Sequence, residues 1–167
     1  ENFMRKIDQP NFEALDACHR QIHVHLAELE ALAQHIETSG VDASAQLQAG
    51  AIEAFFSNTS RQHHAEEERS LFPALLAGGK PEIASAVLAL QQDHGWIEED
   101  WIELAPQLRA IASGNNWFGA TEFQHNVEVF LALCHGHIAL EETLIYPESK
   151  ANWAQAVAAR VARDAKA

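Results

Sequence analysis

Residues 63–73 read HHAEEERSLFP, and residues 137–147 read HIALEETLIYP. Both segments follow one pattern: a histidine is followed four places later by a pair of glutamates, and then by an aromatic residue and a proline. In a helix of 3.6 residues per turn, side chains four positions apart lie about 40° apart on one face. Each segment is therefore predicted to present one imidazole and one carboxylate to the same point.

An imidazole and a carboxylate that face one point are a donor pair for a metal ion. A single His-x-x-x-Glu spacing is weak evidence in a chain with 24 acidic residues and 10 histidines. Two copies in matching contexts on separate helices are much stronger. We therefore interpret four residues as metal ligands: His63, Glu67, His137 and Glu141.

The rest of the chain predicts helices throughout, because apolar residues recur at spacings of three, four and seven. Four long helices are expected over residues 11–38, 43–76, 81–113 and 120–147, with a short helix near 151–165. Short connections predict antiparallel neighbours. We predict an all-α, antiparallel up-down four-helix bundle with a short C-terminal fifth helix outside it. The expected divisions are an N-terminal extension (1–10), the bundle (11–148) and the short helix (149–167).

The first and third helices supply further histidines on their apolar sides. His19 and His23 share a face with Ile22, and His94 lies between Leu90 and Ile97 in the apolar pattern. Burying such rings without partners costs several kcal/mol in total. A bound cation would remove that cost, so His94 and one or both of His19 and His23 are predicted ligands.

The charge of the chain argues against two classes of partner. Eleven basic and 24 acidic residues give a net charge of −13, which repels nucleic acid and anionic membrane surfaces. No stretch approaches the roughly 20 apolar residues that a membrane helix needs. We expect a soluble, cytoplasmic protein without nucleic-acid or membrane partners.

These motifs resemble the hemerythrin-like, or HHE cation-binding, family over residues 15–147. The resemblance rests on the early histidine, both His-x-x-x-Glu motifs with their aromatic-proline ends, and the Asp93-His94 pair. It implies a non-haem centre of two iron ions with a bridging oxo or hydroxo group, iron being favoured over manganese and zinc. It also implies that Glu67 and Glu141 bridge the ions and that the histidines hold them.

The sequence departs from the oxygen-carrying members of that family. Their second histidine on helix three is Glu98 here, and their aspartate five places after the helix-four histidine is replaced by Glu141 at four places and Glu142 at five. Reversible oxygen carriage is therefore doubtful.

His64, about 100° around the helix from His63, is expected beside the site or at its entrance. Glu68 and Glu142 are expected to be solvated.

We interpret the chain as a di-iron protein that binds oxygen, nitric oxide or a related small oxidant such as peroxide, for sensing, storage or protection. Two other hypotheses stay open. One is a di-iron oxidoreductase that reduces peroxide or nitric oxide or supports iron-sulfur repair. The other is a non-catalytic interaction bundle stabilised by a metal. Binding without turnover is preferred to catalysis.

Overall fold

The regular structure over the described residues, 9–167, is entirely helical in the computed structural model. The helices are α1 (Phe12–Ser39), α2 (Ala43–Ala54), α3 (Ser60–Ser70), α4 (Phe72–Ala77), α5 (Pro81–Ala112), α6 (Ala120–Leu140) and α7 (Tyr146–Ala165). π-helical turns at Phe55–Thr59 and Glu141–Ile145 join α2 to α3 and α6 to α7. The chain therefore forms four helical rods: α1, α2 to α4, α5, and α6 to α7. The predicted all-α bundle is confirmed. Most of the predicted extension, residues 1–8, lies outside the described part of the chain.

Local sequence signals set the helix ends. The side chain of Asn11 accepts a hydrogen bond from the backbone of Ala14 at the start of α1, and Asp42 does the same for Ala45 at the start of α2. Gly40 ends α1 at φ 73°, a conformation that favours glycine. Pro81 begins α5, where its missing N–H is not needed.

The bundle has two apolar cores. The larger one is built around Phe56, Trp101 and Phe130, and the smaller one around Phe72 and Leu90. On each rod, predicted metal ligands lie where the two cores adjoin: on α1, for example, His19 lies between Leu15 of the smaller core and Ile22 of the larger. A polar layer therefore crosses the interior between the cores.

The predicted C-terminal helix is present as α7, and it begins at Tyr146 rather than near residue 151. The π-helical turn and α7 continue α6 without a loop, so the fourth rod runs from Ala120 to Ala165. Proline lacks an N–H, and its ring crowds the carbonyl four residues earlier. Pro147 follows a wider turn, in which the N–H of Tyr146 bonds to the carbonyl of Glu141, and this widening accommodates the ring.

Beyond Ser149, α7 is largely exposed, and only Asn152 and Trp153 are half-buried. Lys150 anchors its first turns to α1 through an ion pair with Asp16 at 2.8 Å. None of the described helices combines the length and apolar character required to cross a membrane.

Candidate metal centre

The polar layer between the two cores gathers side chains from every rod. His19 comes from α1, His63 and Glu67 from α3, His94 from α5, and His137 from α6. Glu141 is the first residue of the second π-helical turn. These side chains are buried or nearly so, with Glu67 and Glu141 at 0% and 1% exposure.

The side chains form two overlapping groups of candidate ligands. In the first group, His19, His63, Glu67 and Glu141 offer atoms that lie within 4.8 Å of one another. His19 Nε2 is 3.6 Å from Glu141 Oε1, and His63 Nε2 is 3.5 Å from Glu67 Oε1. This geometry can hold one metal ion.

The second group contains Glu67 again, with His64, His94 and His137. His94 Nε2 lies 3.5 Å from Glu67 Oε1. His137 Nε2 lies 2.9 Å from an oxygen of Glu141, which belongs to the first group. Both glutamates therefore lie between the two groups of candidate ligands.

Several atoms that face the centre lack hydrogen-bond partners. Within the described part of the chain these include Glu67 Oε1, His94 Nε2, His137 Nε2 and both carboxylate oxygens of Glu141. Each buried polar atom without a partner lowers the stability of the fold by about 1–3 kcal/mol. Unpartnered nitrogen and oxygen atoms that converge on common points are what metal ions coordinate, so these residues fit a pair of bound cations.

Carboxylates lie on the outer side of three of the histidine rings. His94 Nδ1 is 3.1 Å from Glu68 Oε1, and His19 Nδ1 is 3.2 Å from Glu142 Oε1. His137 Nδ1 is similarly 3.4 Å from Asp93 Oδ2. For His94 and His137 this contact is a hydrogen bond, which orients the ring and leaves Nε2 free to bind a metal.

Glu68 and Glu142 are exposed to solvent, as expected, but each also contacts a candidate ligand on a neighbouring rod, which was not predicted. The signal was present in the paired glutamates of the repeat. The first glutamate of each pair faces the centre, and the second turns about 100° towards the next helix. Asp93, directly before His94, reaches α6 in the same way.

The structure brings together six of the seven predicted ligands. His23 lies outside both groups. That ring is 46% exposed and contacts the outer carboxylate of Glu142 at 3.0 Å. His23 lies one turn beyond His19 and about 40° around α1. This rotation carries it from the interior to the exposed edge of the bundle.

His64 was expected beside the centre or at its entrance, but it belongs to the second group. Its ring stacks on that of His94, with centroids 4.1 Å apart, and is 5.6 Å from that of His137. Glu98, which stands where oxygen carriers have a second histidine, instead pairs with Arg61. The third imidazole of the second group therefore comes from α3 rather than α5.

A small cavity of about 10 Å³ adjoins the second group. This volume corresponds to about one water-sized sphere. His64, His137 and Glu141 form its polar side. The rest is mainly apolar and is lined by Ile22, Phe56, Ser60, Ile97, Cys134 and Ile138.

Burial sets the protonation of most histidines in the centre. It lowers the pKa of His63 and of His137 to about 4 and also lowers the pKa of His19 and His64. These rings are therefore neutral at pH 7. Neutral rings have the free nitrogen lone pair that binds a metal.

Glu67 and His94 shift in the directions expected of a contacting pair. Burial favours a neutral carboxyl, but the nearby His94 and His63 outweigh it and hold the pKa of Glu67 below its usual range. Burial also favours a neutral His94, but Glu67 and Glu68 outweigh it and raise the pKa of that ring. Protons therefore compete with metal most readily at His94.

The metal-free protein is expected to lose stability between pH 7 and pH 5. The pKa values of His63 and His137 are lower in the folded state, so the unfolded chain binds more protons in this window and gains stability as pH falls. At pH 5 each ring contributes about 2 kcal/mol of destabilisation. His94 acts in the opposite direction but is outnumbered. Urea unfolding after chelation measures the change.

His63→Gln provides the matched variant, because it keeps a polar side chain but removes one of the rings with a lowered pKa. Its unfolding free energy should fall less between pH 7 and pH 5 than that of the unaltered protein. Equal falls in both proteins would show that His63 does not contribute as described.

Comparison with known proteins agrees with this geometry. The family model described as the hemerythrin HHE cation binding domain matches residues 11–149. An uncharacterized protein of Haemophilus influenzae is 28% identical over 132 residues, which cover 79% of this chain and 74% of that protein. The matched region contains the whole polar layer. The chain therefore belongs to the hemerythrin HHE cation-binding domain family.

Proposed function

We propose that this protein holds two iron ions and binds oxygen, nitric oxide or a related small oxidant for sensing, storage or protection. One observation carries the proposal: two groups of buried, largely unpartnered ligand atoms share Glu67, with Glu141 in contact with both. A single cation would leave one group without a partner, and each buried polar atom left unpaired carries an energetic penalty.

In this proposal, His19 and His63 hold the first ion. His64, His94 and His137 hold the second, while Glu67 and Glu141 lie between them. Mixed nitrogen and oxygen donors suit iron, manganese and zinc. Membership of the hemerythrin family favours iron.

Iron would supply an open coordination position and a change of one electron between its ferrous and ferric states. The chain itself supplies exclusion of water and a tight limit on ligand size. The cavity beside His64 and His137 is small and mainly apolar, which suits a neutral ligand of two or three atoms better than an ionised substrate. We therefore favour small-oxidant binding.

The proposed location is the cytoplasm. Cys18 and Cys134 are both free thiols. Unpaired cysteines are usual in a reducing compartment.

Replacing both bridging carboxylates should remove the metal. Glu67→Ala with Glu141→Ala is expected to reduce bound iron from about two ions per chain to nearly none, because both groups lose their shared ligands. Iron is counted by elemental analysis, and helix content is followed by circular dichroism. The control is Glu66→Ala with Glu128→Ala, which removes two carboxylates outside the centre. Two ions retained by the first variant would refute the bridging assignment.

The third imidazole of the second group can be tested against His23, a predicted ligand that lies outside both groups. His64→Gln should weaken binding of the second ion by roughly tenfold or more, the equivalent of about 1.4 kcal/mol or more. His23→Gln should leave binding unchanged, because its ring lies outside both groups. Competition with a chelator measures both variants. Equal affinities would remove His64 from the ligand set.

The anaerobically reduced, iron-loaded protein should bind nitric oxide with a spectral change that saturates without turnover. Ile97→Phe overfills the adjoining cavity and should weaken this binding about tenfold or more at unchanged iron content. Ile102→Phe, at an exposed position of the same helix, is the control. Sustained consumption of nitric oxide with an electron donor would instead support the oxidoreductase hypothesis.

A further inference from the structure

Tyr146, the only tyrosine in the chain, lies within the first group of ligands. Its phenolic oxygen is 3.0 Å from His19 Nε2, 3.4 Å from His63 Nε2 and 2.9 Å from Glu67 Oε2. The side chain is 2% exposed, and its ring stacks on that of His19 with centroids 4.6 Å apart. The oxygen is thus fixed among three atoms that face the first metal position.

These distances match the spacing of ligand atoms around one ion. Donors about 2.1 Å from a metal and at right angles to one another lie about 3 Å apart. The phenolic oxygen keeps close to this spacing from both histidine nitrogens and from the carboxylate oxygen. It needs no large movement to join the same coordination sphere.

The sequence repeat shows what Tyr146 adds. The corresponding residue of the first segment is Phe72, which is buried and packs near His94 of the second group, with ring centroids 5.8 Å apart. Conversely, His64 of the first segment corresponds to Ile138 of the second. Each segment therefore carries one additional donor where the other has a hydrocarbon side chain.

These additional donors equalise the two metal positions. Without them, each position has two imidazoles and a share of Glu67 and Glu141. His64 adds a third nitrogen to the second group, and the phenolic oxygen would add a fifth donor to the first. With these two residues included, the protein would offer five donors to each ion, if Glu67 and Glu141 are counted for both.

We propose that Tyr146 is a ligand of the first metal ion through its phenolate oxygen, an inference that rests on the proposed function. In the metal-free protein, the phenol is neutral and donates a hydrogen bond to Glu67. When the oxygen coordinates the ion, the phenolic proton passes to solvent. The phenolate adds a third negative charge beside Glu67 and Glu141 and favours the ferric state at this position.

The alternative is that Tyr146 only donates a hydrogen bond to Glu67 and orients it. A coordinated phenolate and a hydrogen-bonded phenol differ in their absorption, because only the former gives charge transfer from the ring to ferric iron in the visible region. Because the chain has one tyrosine, such a band can have no other protein source.

The test is the absorption spectrum of the ferric, iron-loaded full chain and of Tyr146→Phe, which keeps the ring but removes the oxygen. The unaltered protein should show the phenolate-to-iron band, and the variant should lack it while still binding iron. Resonance Raman spectra of unaltered protein labelled with ring-deuterated tyrosine should show shifted ring modes, a readout that does not require the variant to fold.

A further experiment uses no iron. Adding gallium(III) to the metal-free protein should produce the ultraviolet difference spectrum of one ionised tyrosine per chain, and this signal should be absent in Tyr146→Phe. Two bound irons with no phenolate band and no such difference spectrum would overturn the ligand assignment alone. A phenolate band without any small-ligand binding would overturn the proposed function alone.

Discussion

The constraint on which the rest of the structure depends is the burial of two carboxylates within the bundle. Glu67 and Glu141 are almost fully enclosed between two apolar cores, and neither is paired with a lysine or arginine among the described residues. Burying an ion without compensation costs several kcal/mol, a large part of the 5–15 kcal/mol by which a typical domain is stable. Histidines from all four rods surround these charges, but neutral rings compensate them only in part. Metal cations bound by these side chains would compensate the buried charges, and their binding would add directly to folding stability.

A second consequence follows from the contacts outside the ligand rings. Each of three ring nitrogens that face away from the centre meets a carboxylate from a neighbouring rod: Glu68 crosses from α3 to His94, Glu142 from the fourth rod to His19, and Asp93 from α5 to His137. Each of these acids lies next to a candidate ligand in the sequence. One short segment thus supplies a donor to the centre and an orienting group to the next helix. This cross-linking aligns the rods around the metal positions before any metal binds, which lowers the reorganisation that binding requires.

Much of the fold and most of the centre followed from the sequence, because both obey the 100° rotation of the α-helix. The apolar spacing gave four rods, and the repeated histidine and glutamate spacing gave His63, Glu67, His137 and Glu141. The same rule left His64 outside the predicted ligands and could not choose between His19 and His23. The rotation about a helix axis gives the direction of a side chain, but it does not show how far the site extends across the bundle. Because the candidate ligands form two groups, a ring about 100° from His63 still belongs to one of them. Conversely, His23 lies near the apolar side of α1 but at the exposed edge of the bundle, so its ring belongs to neither group.

The π-helical turn at Glu141–Ile145 explains the remaining difference. In an α-helix, residues five apart point about 140° away from each other, so Tyr146 would turn away from the face that carries Glu141. A π-helical turn closes its hydrogen bond over five residues, and here that bond joins the N–H of Tyr146 to the carbonyl of Glu141. The two side chains therefore face the same interior, and the phenolic oxygen reaches the ligand atoms of the first group. The turn also admits Pro147 without ending the rod. A single irregularity in the backbone thus accounts for both the continuous fourth rod and the oxygen donor that regular helix geometry had hidden.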